Sequence, residues 1–386
     1  MPVAVLGPLT ERHPPMIVLR RSALLLTASL AFSTPFVLTS TAASPARSAP
    51  DVRGPDKAAS AADWLAGELV HNRMPSSFQG ATDWGLTIDT LFALTAEDPT
   101  SGRVPKIARV LARHINDYTD FQGARSAGAS AKLLVAAKVA GRDVRDFGGV
   151  DLRSRVLRLV GGRGAGFERG RLRDTGGTDF SNTIGQSFGV VGLSRTGGAP
   201  GSTVDFLLEQ RCKAGWFRLL EESDEGCRAA QDEPDTDATA YALQAMVSAR
   251  SHGTDLPSGA IRRTTRWLLS AQQHNGAFGG GSSTEAANAN STGLAAQALA
   301  ALDHRRAAAK AAAWVADLQL TRGRVAGTPA RDEVGTIGYD KAAVRSALRD
   351  GIAGGNAARD QWRRSTAQGI FAFVPKPLTV LRASAS

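Results

Sequence analysis

Two stretches of this chain, fifty-three residues apart, open alike: DTDATAYALQAM (Asp235–Met246) and NANSTGLAAQAL (Asn288–Leu299). Each begins with two acids or amides one residue apart and runs on into Ala and Leu. Such pairs can do three things. Asp and Asn are preferred helix N-caps, because a side-chain oxygen takes up a backbone N–H that the first turn leaves unpaired. The same groups can rim a ligand site, where the positive end of a helix also favours an anionic or hydrogen-bonding ligand. Carboxylates in pairs can also flank a groove as acid and base, in the manner of a glycan-cleaving enzyme. The runs EESDEG (Glu221–Gly226) and DEPDTD (Asp232–Asp237), with Glu285, supply enough of them. Capping is the simplest of the three readings, and acidic loop runs are more often merely solvated.

Metal chemistry has little to build on. The six histidines are scattered, and none stands at metal-ligand spacing from another or from the two cysteines. Cys212 and Cys227 read as a disulfide closing a loop of about fifteen residues, contributing about 3 kcal/mol; a zinc pair is the weaker alternative. No cofactor is expected.

The elements that must position these residues come from a longer period. Apolar helices carry an anchor at Trp64, Val110, Val156, Phe206, Trp267 and Trp314, spaced by 46, 46, 50, 61 and 47 residues. A period in this range marks a repeat architecture. Each anchored helix is followed by a second one rich in small residues: from Asp83 (DWGLTIDTLFAL), Ala124, Phe180, Asp235 and Asn288, with a degenerate copy from Gln361. Small residues at three- and four-residue steps let neighbouring backbones approach closely, which suits helices crowded at the centre of a ring. The anchored helices carry Arg, Glu and Gln on one side and suit a solvent-facing outer layer. The expected fold is all-α: six helical hairpins closed into an (α/α)6 toroid, with an open superhelix of the same hairpins as the alternative. In such a ring every inner helix starts at the same end, so Asp83, Trp84, Ser181, Asn182, Asp235, Asp237, Asn288 and Asn290 gather at one mouth as candidate ligand-binding residues.

Residues 1–43 have the anatomy of a cleaved export signal: Arg20 and Arg21, an apolar stretch, and a small-residue site near Thr41-Ala42-Ala43. Met16 serves as well as Met1 for the start. Residues 44–58 read as a disordered leader, 59–374 as the toroid and 375–386 as a tail. No later window holds the roughly 20 apolar residues of a membrane span, so the expected mature chain is secreted, with cell-envelope association open. The formal charge is +10, and residues 1–43 contribute Arg12, Arg20 and Arg21 against Glu11, leaving about +8. That charge suits anionic wall polymers or lipid surfaces. Without a Lys/Arg stripe interleaved with aromatics, nucleic acid is not an expected partner.

Units four to six carry a sharper signature. WLLSAQQHNGAF places Gln272, Gly276 and Phe278 after Trp267; WVADLQLTRGRV places Gln319, Gly323 and Val325 after Trp314; FLLEQRCKAGWF places Arg211, Gly215 and Phe217 after Phe206. The pattern resembles the Gln-Trp repeat of squalene and oxidosqualene cyclases and, more broadly, the terpenoid-cyclase/protein-prenyltransferase toroid superfamily. Class II cyclases of that superfamily protonate their substrate with a DxDDTA motif. The resemblance makes Asp237 of DTDATA the candidate acid and Asp235 its neighbour, with Ala238 where a further Asp would stand. The prenyltransferase zinc trio and the GCGEQ stretch of thioester proteins are missing. Cobalamin carriers begin inner helices with similar phrases but close a second, small β domain over the ligand, and nothing strand-rich is read after residue 370. Together these point to a central funnel that takes a small or lipid-like ligand, or a cell-envelope component, without evident catalysis. Cyclase-like protonation through Asp237 is the first alternative and glycan cleavage the second.

Overall fold

A computed structural model describes residues 57–78, 80–221, 226–228 and 232–384. The expected export signal (1–43), residues 44–56 of the expected leader and the acids at 222–225 lie outside the described residues; residues 57–58 of that leader instead begin the first helix, where Ala58 is buried. The helices run in the order α1 (Lys57–Glu68), α2 (Trp84–Glu97), α3 (Arg103–Arg113), α4 (Ile115–Thr119), α5 (Ala127–Val139), α6 (Leu152–Leu157), α7 (Thr183–Ser194), α8 (Gly201–Glu209), α9 (Thr236–Ser251), α10 (Ala260–Ala271), α11 (Ala289–Ala300), α12 (Arg305–Ala316), α13 (Arg322–Val325), α14 (Lys341–Asp350) and α15 (Asn356–Gly369). Strand structure among the described residues is confined to two two-residue antiparallel pairs and isolated bridges in the loops.

Burial separates two layers. In α7 and α9 nearly every residue is buried, as expected of helices enclosed on all sides. By contrast, α3 buries only the stripe of Val104, Ile107, Ala108 and Leu111. The inner helices pack in the order α2–α5–α7–α9–α11–α15, and α15 packs back on α2. The ring is closed, an α/α toroid of six hairpins. The small residues act as expected: a Cβ built on Gly185 of α7 would stand 3.0 Å from the Cα of Gly128 in α5, so these two backbones are in contact.

The seam between the first and last units is sealed by charge. Glu68 at the end of α1 accepts from Arg359 (2.8 and 2.9 Å) and Arg363 (2.8 Å) of α15. Arg359 also reaches Glu333, which takes the Trp64 Nε1–H at 2.7 Å. Burial pushes the Glu68 carboxyl upward, but the hydrogen bonds and charges of the two arginines outweigh it and hold it at about 2.

The repeat glutamines tie each hairpin to the next outer helix. Gln272 donates to Gly276 O and to Ala307 O of α12, and Gln319 donates to Gly335 O and to Lys57 O of α1. Gly276, at φ +95°, lies flat against the backbone of Lys310. In the last unit this place is not filled by Gly323, which falls in the short helix α13; Gly335, at φ +99° and against Ser60, fills it after the chain has looped out. The sixth inner helix also starts earlier than Gln361, at Asn356, behind the additional helix α14.

Residues 376–384 cross the end of the ring opposite the inner-helix starts. Buried Arg195 donates to Leu378 O and Leu381 O; Gln244 accepts from Leu378 N, and Gln297 donates to Lys376 O. Ala383 N and Ser384 N bond the carbonyls of Val139 and Pro99. These contacts cover the end of the ring away from the inner-helix N-termini; the mouth is the end where those helices start.

Candidate functional site at the mouth of the ring

At the mouth the doubled phrase resolves into two jobs. The first polar residue of each pair caps its helix. Asp235 Oδ1 accepts from Ala238 N at 2.8 Å and Asn288 Oδ1 from Ser291 N at 2.9 Å. Asp83, Ser126 and Asn182 do the same for α2, α5 and α7. The second polar residue, two positions on, does not cap. Asp237 Oδ1 is shut off from solvent with no hydrogen-bond partner, and so is Asn290 Oδ1. The neighbouring Ser291 Oγ is enclosed and unpartnered as well.

A glycine run closes over these groups. A Cβ on Gly280 would stand 3.1 Å from Ser291 Oγ and 3.2 Å from Asp237 Oδ2, and one on Gly281 would overlap the Asp235 carboxylate. Only residues without side chains allow the loop to lie this close. Burial pushes the Asp237 carboxyl up to about 7, the nearby Asp235 adds to the rise, and the Ser291 hydroxyl alongside, outside hydrogen-bond geometry, tempers it. Asp235 is also raised by burial, against the backbone N–H groups it accepts from. Near neutrality this site therefore holds a carboxylic acid as well as carboxylate.

Aromatic and charged groups continue down the inner wall. Burial, then the charges of Asp89 and Asp237, raise the Tyr241 hydroxyl well above its ordinary range, so it stays a neutral donor. Burial and Asp237 raise Tyr339 too. Tyr241 packs on Phe188 with centroids 5.0 Å apart, and Phe188 on Phe92 at 6.4 Å. Lys132 lies over the Phe188 ring and pairs with Asp89 at 2.6 Å.

The other candidate residues are already engaged. Asp83 caps α2 with one oxygen and pairs with Arg364 through the other. Trp84 stacks on His114 at 4.8 Å. Ser181 is held by Asp179 at 2.7 Å, and Asn182 and Asn288 spend their oxygens on caps. Glu221 is enclosed with Arg171 (3.0 Å), which also pairs with Glu168 and Asp179. Burial pushes Glu221 up to about 8 and Arg171 opposes it. Glu285 is exposed. Cys212 and Cys227 form a disulfide with Cα atoms 4.8 Å apart. Sequence reasoning missed Ser291, Tyr241, Tyr339 and the covering loop. The run Gly279-Gly280-Gly281 was the available signal for the loop, since three successive glycines mark a close approach.

The fold and these residues define an α/α toroid with an acidic group enclosed at one end, and comparison with solved structures agrees on the fold. No family model matches the sequence, and no curated protein does. The chain is similar to the type II terpene cyclase MstE from Scytonema: TM-score 0.55 and 13% identity, over 82% of this chain and 96% of that one. It is similar to an Actinoplanes protein at TM-score 0.51 and 15% identity, over 83% and 98% of the two chains. An unsaturated glucuronyl hydrolase specific for heparin matches at TM-score 0.52 and 12% identity, over 82% and 96%. At these identities the likeness establishes the toroid and nothing finer.

Proposed function

We propose that this chain binds a small, lipid-like or weakly charged ligand in the mouth of its ring, with the Asp237 carboxylic acid as the principal contact. The observation that supports it is the convergence of enclosed, unpartnered oxygens on two adjoining helix starts, at Asp237, Asn290 and Ser291. A buried polar group left unpaired costs about 1–3 kcal/mol, so a ligand offering hydroxyl, ether or carbonyl oxygens gains by meeting them. The segment 376–384 packs across the far end of the ring, so a ligand is expected to enter and leave at the inner-helix starts. Export fits the Cys212–Cys227 disulfide.

Native mass spectrometry of the chain expressed in a secretory host tests this. Binding predicts a bound small molecule that Asp237→Ala loses while the fold persists; a ligand-free wild type contradicts it. One observation favours a second reading, proton donation to a substrate: a carboxyl near 7 with one oxygen shut off from solvent is an acid poised for its task. Incubation with isoprenoids decides between them, since new cyclic products lost in Asp237→Asn would replace binding with catalysis. Polysaccharide turnover abolished by Asp235→Asn or Glu285→Gln would move the reading to glycan cleavage.

A further inference from the structure

Exposed large apolar side chains are not scattered over the ring. Phe78, Phe121, Phe167 and Phe180 are 66%, 74%, 71% and 76% exposed. All four sit on segments leading from an outer helix into an inner one, at 69–83, 120–126 and 158–182. Such segments emerge at the mouth, because every inner helix starts there. Val70 and Leu220 belong to the same set, and among the described residues only Val380 of this exposed class lies elsewhere.

These side chains are held outward by ordered loops. Buried Asp174 accepts from Ala127 N at 2.7 Å and from Phe180 N at 3.1 Å, which fixes the backbone that carries Phe180. Arg125 and Thr175 exchange two backbone bonds, and Thr183 N donates to Leu219 O, so the loops of units two, three and four form one layer. Basic side chains flank the rings. Arg163 and Arg169, on either side of Phe167 in the chain, are exposed, and so is Arg173 further along the same segment toward Phe180. Arg163 and Arg169 carry no ion pair among the described residues, and Arg173 reaches Glu168 only at 3.9 Å.

We infer that this rim docks on an anionic lipid surface. Phenyl rings enter the boundary between headgroups and acyl chains while arginines meet the phosphates, the pairing of apolar and basic groups that interfacial binding requires. An apolar protein partner would be served by the phenylalanines alone; the unpaired Arg163 and Arg169 flanking Phe167 supply the charge complementarity that selects lipid. The mouth then faces the membrane, and an apolar molecule can pass from lipid to the Asp237 site without crossing bulk water. The docking itself does not depend on what that site binds.

Co-sedimentation of the purified full chain with vesicles tests it. Phosphatidylglycerol/phosphatidylcholine vesicles should bind the chain, pure phosphatidylcholine should bind it far less, and raised salt should release it. Phe121→Ser and Phe180→Ser should each weaken binding by about tenfold, since partial burial of a phenyl ring recovers on the order of half its full transfer energy. Arg163→Glu with Arg169→Glu should abolish the preference for anionic vesicles. All these positions are exposed, so thermal melting should not change. No vesicle binding by the wild type, or equal binding by the phenylalanine variants, overturns the inference. So does self-association lost in Phe121→Ser without any vesicle binding, which would make the rim a contact between copies of this chain.

Discussion

The two halves of the ring use one grammar to different ends. Helices α2, α5, α7, α9 and α11 each start behind a capping Asp, Ser or Asn that accepts from the third residue of its helix. Two residues after the cap, the first half has Gly85, Gly128 and Ile184, and the second half has Asp237 and Asn290. In the first half, Gly128 lets α5 close on Gly185 of α7, backbone to backbone, while exposed phenylalanines mark the loops above. In the second half the same position carries oxygens with no partner, under a glycine cover. Capping is thus what the halves share and belongs to the fold. What differs, one position in each start, is where function is to be sought.

The contrast can be broken most violently in the closed half. Gly185→Val would force α5 and α7 apart and should cost about 3 kcal/mol in urea denaturation. Caps should weigh alike in both halves: Asp235→Ala and Asn182→Ala should each lose about 1 kcal/mol. A large difference between them would mean that Asp235 does more than cap. Asp237 should behave differently again. Its folded-state value of about 7 lies above the value near 4 of an unfolded aspartate, so the folded chain holds the proton more tightly. Its contribution to stability is complete below pH 4, declines as pH rises to 7, and is absent above that. Asp237→Asn should therefore flatten that part of the stability profile between pH 4 and 7, as read by thermal melts. Asn290→Ala should be the mildest, within about 1 kcal/mol of wild type because no hydrogen bond is lost, yet it should weaken ligand retention.

The ring was legible because its signals are local. A cap, a small-residue stripe and a glutamine near a helix end each act within a few residues of their own position, and their recurrence spelled out the hairpins. The signal failed where chain was inserted. Gly323 has the right spacing from Gln319, but the turn that matters is made by Gly335, after α13 and the loop that follows it. At the site, the list of mouth residues was readable from the helix starts, but their division of labour was not. Asp235 and Asp237 are the same residue type two positions apart, and only the packing of α11 and of Gly280 and Gly281 tells an occupied carboxyl from an unpartnered one. The outward position of Phe121 and of Phe180, which lies in the loop before α7 rather than at its start, is hidden for a similar reason: a phenylalanine in a loop reads the same whether it seals a core or faces outward.

The protonation state of Asp237 tests the account most directly. Carbon-detected NMR of the side-chain carboxyl, assigned by its loss in Asp237→Asn, should show titration near pH 7 in the folded chain. A midpoint near 4 would mean a solvated or well-partnered carboxylate, and the mouth would hold no acid for a ligand to meet.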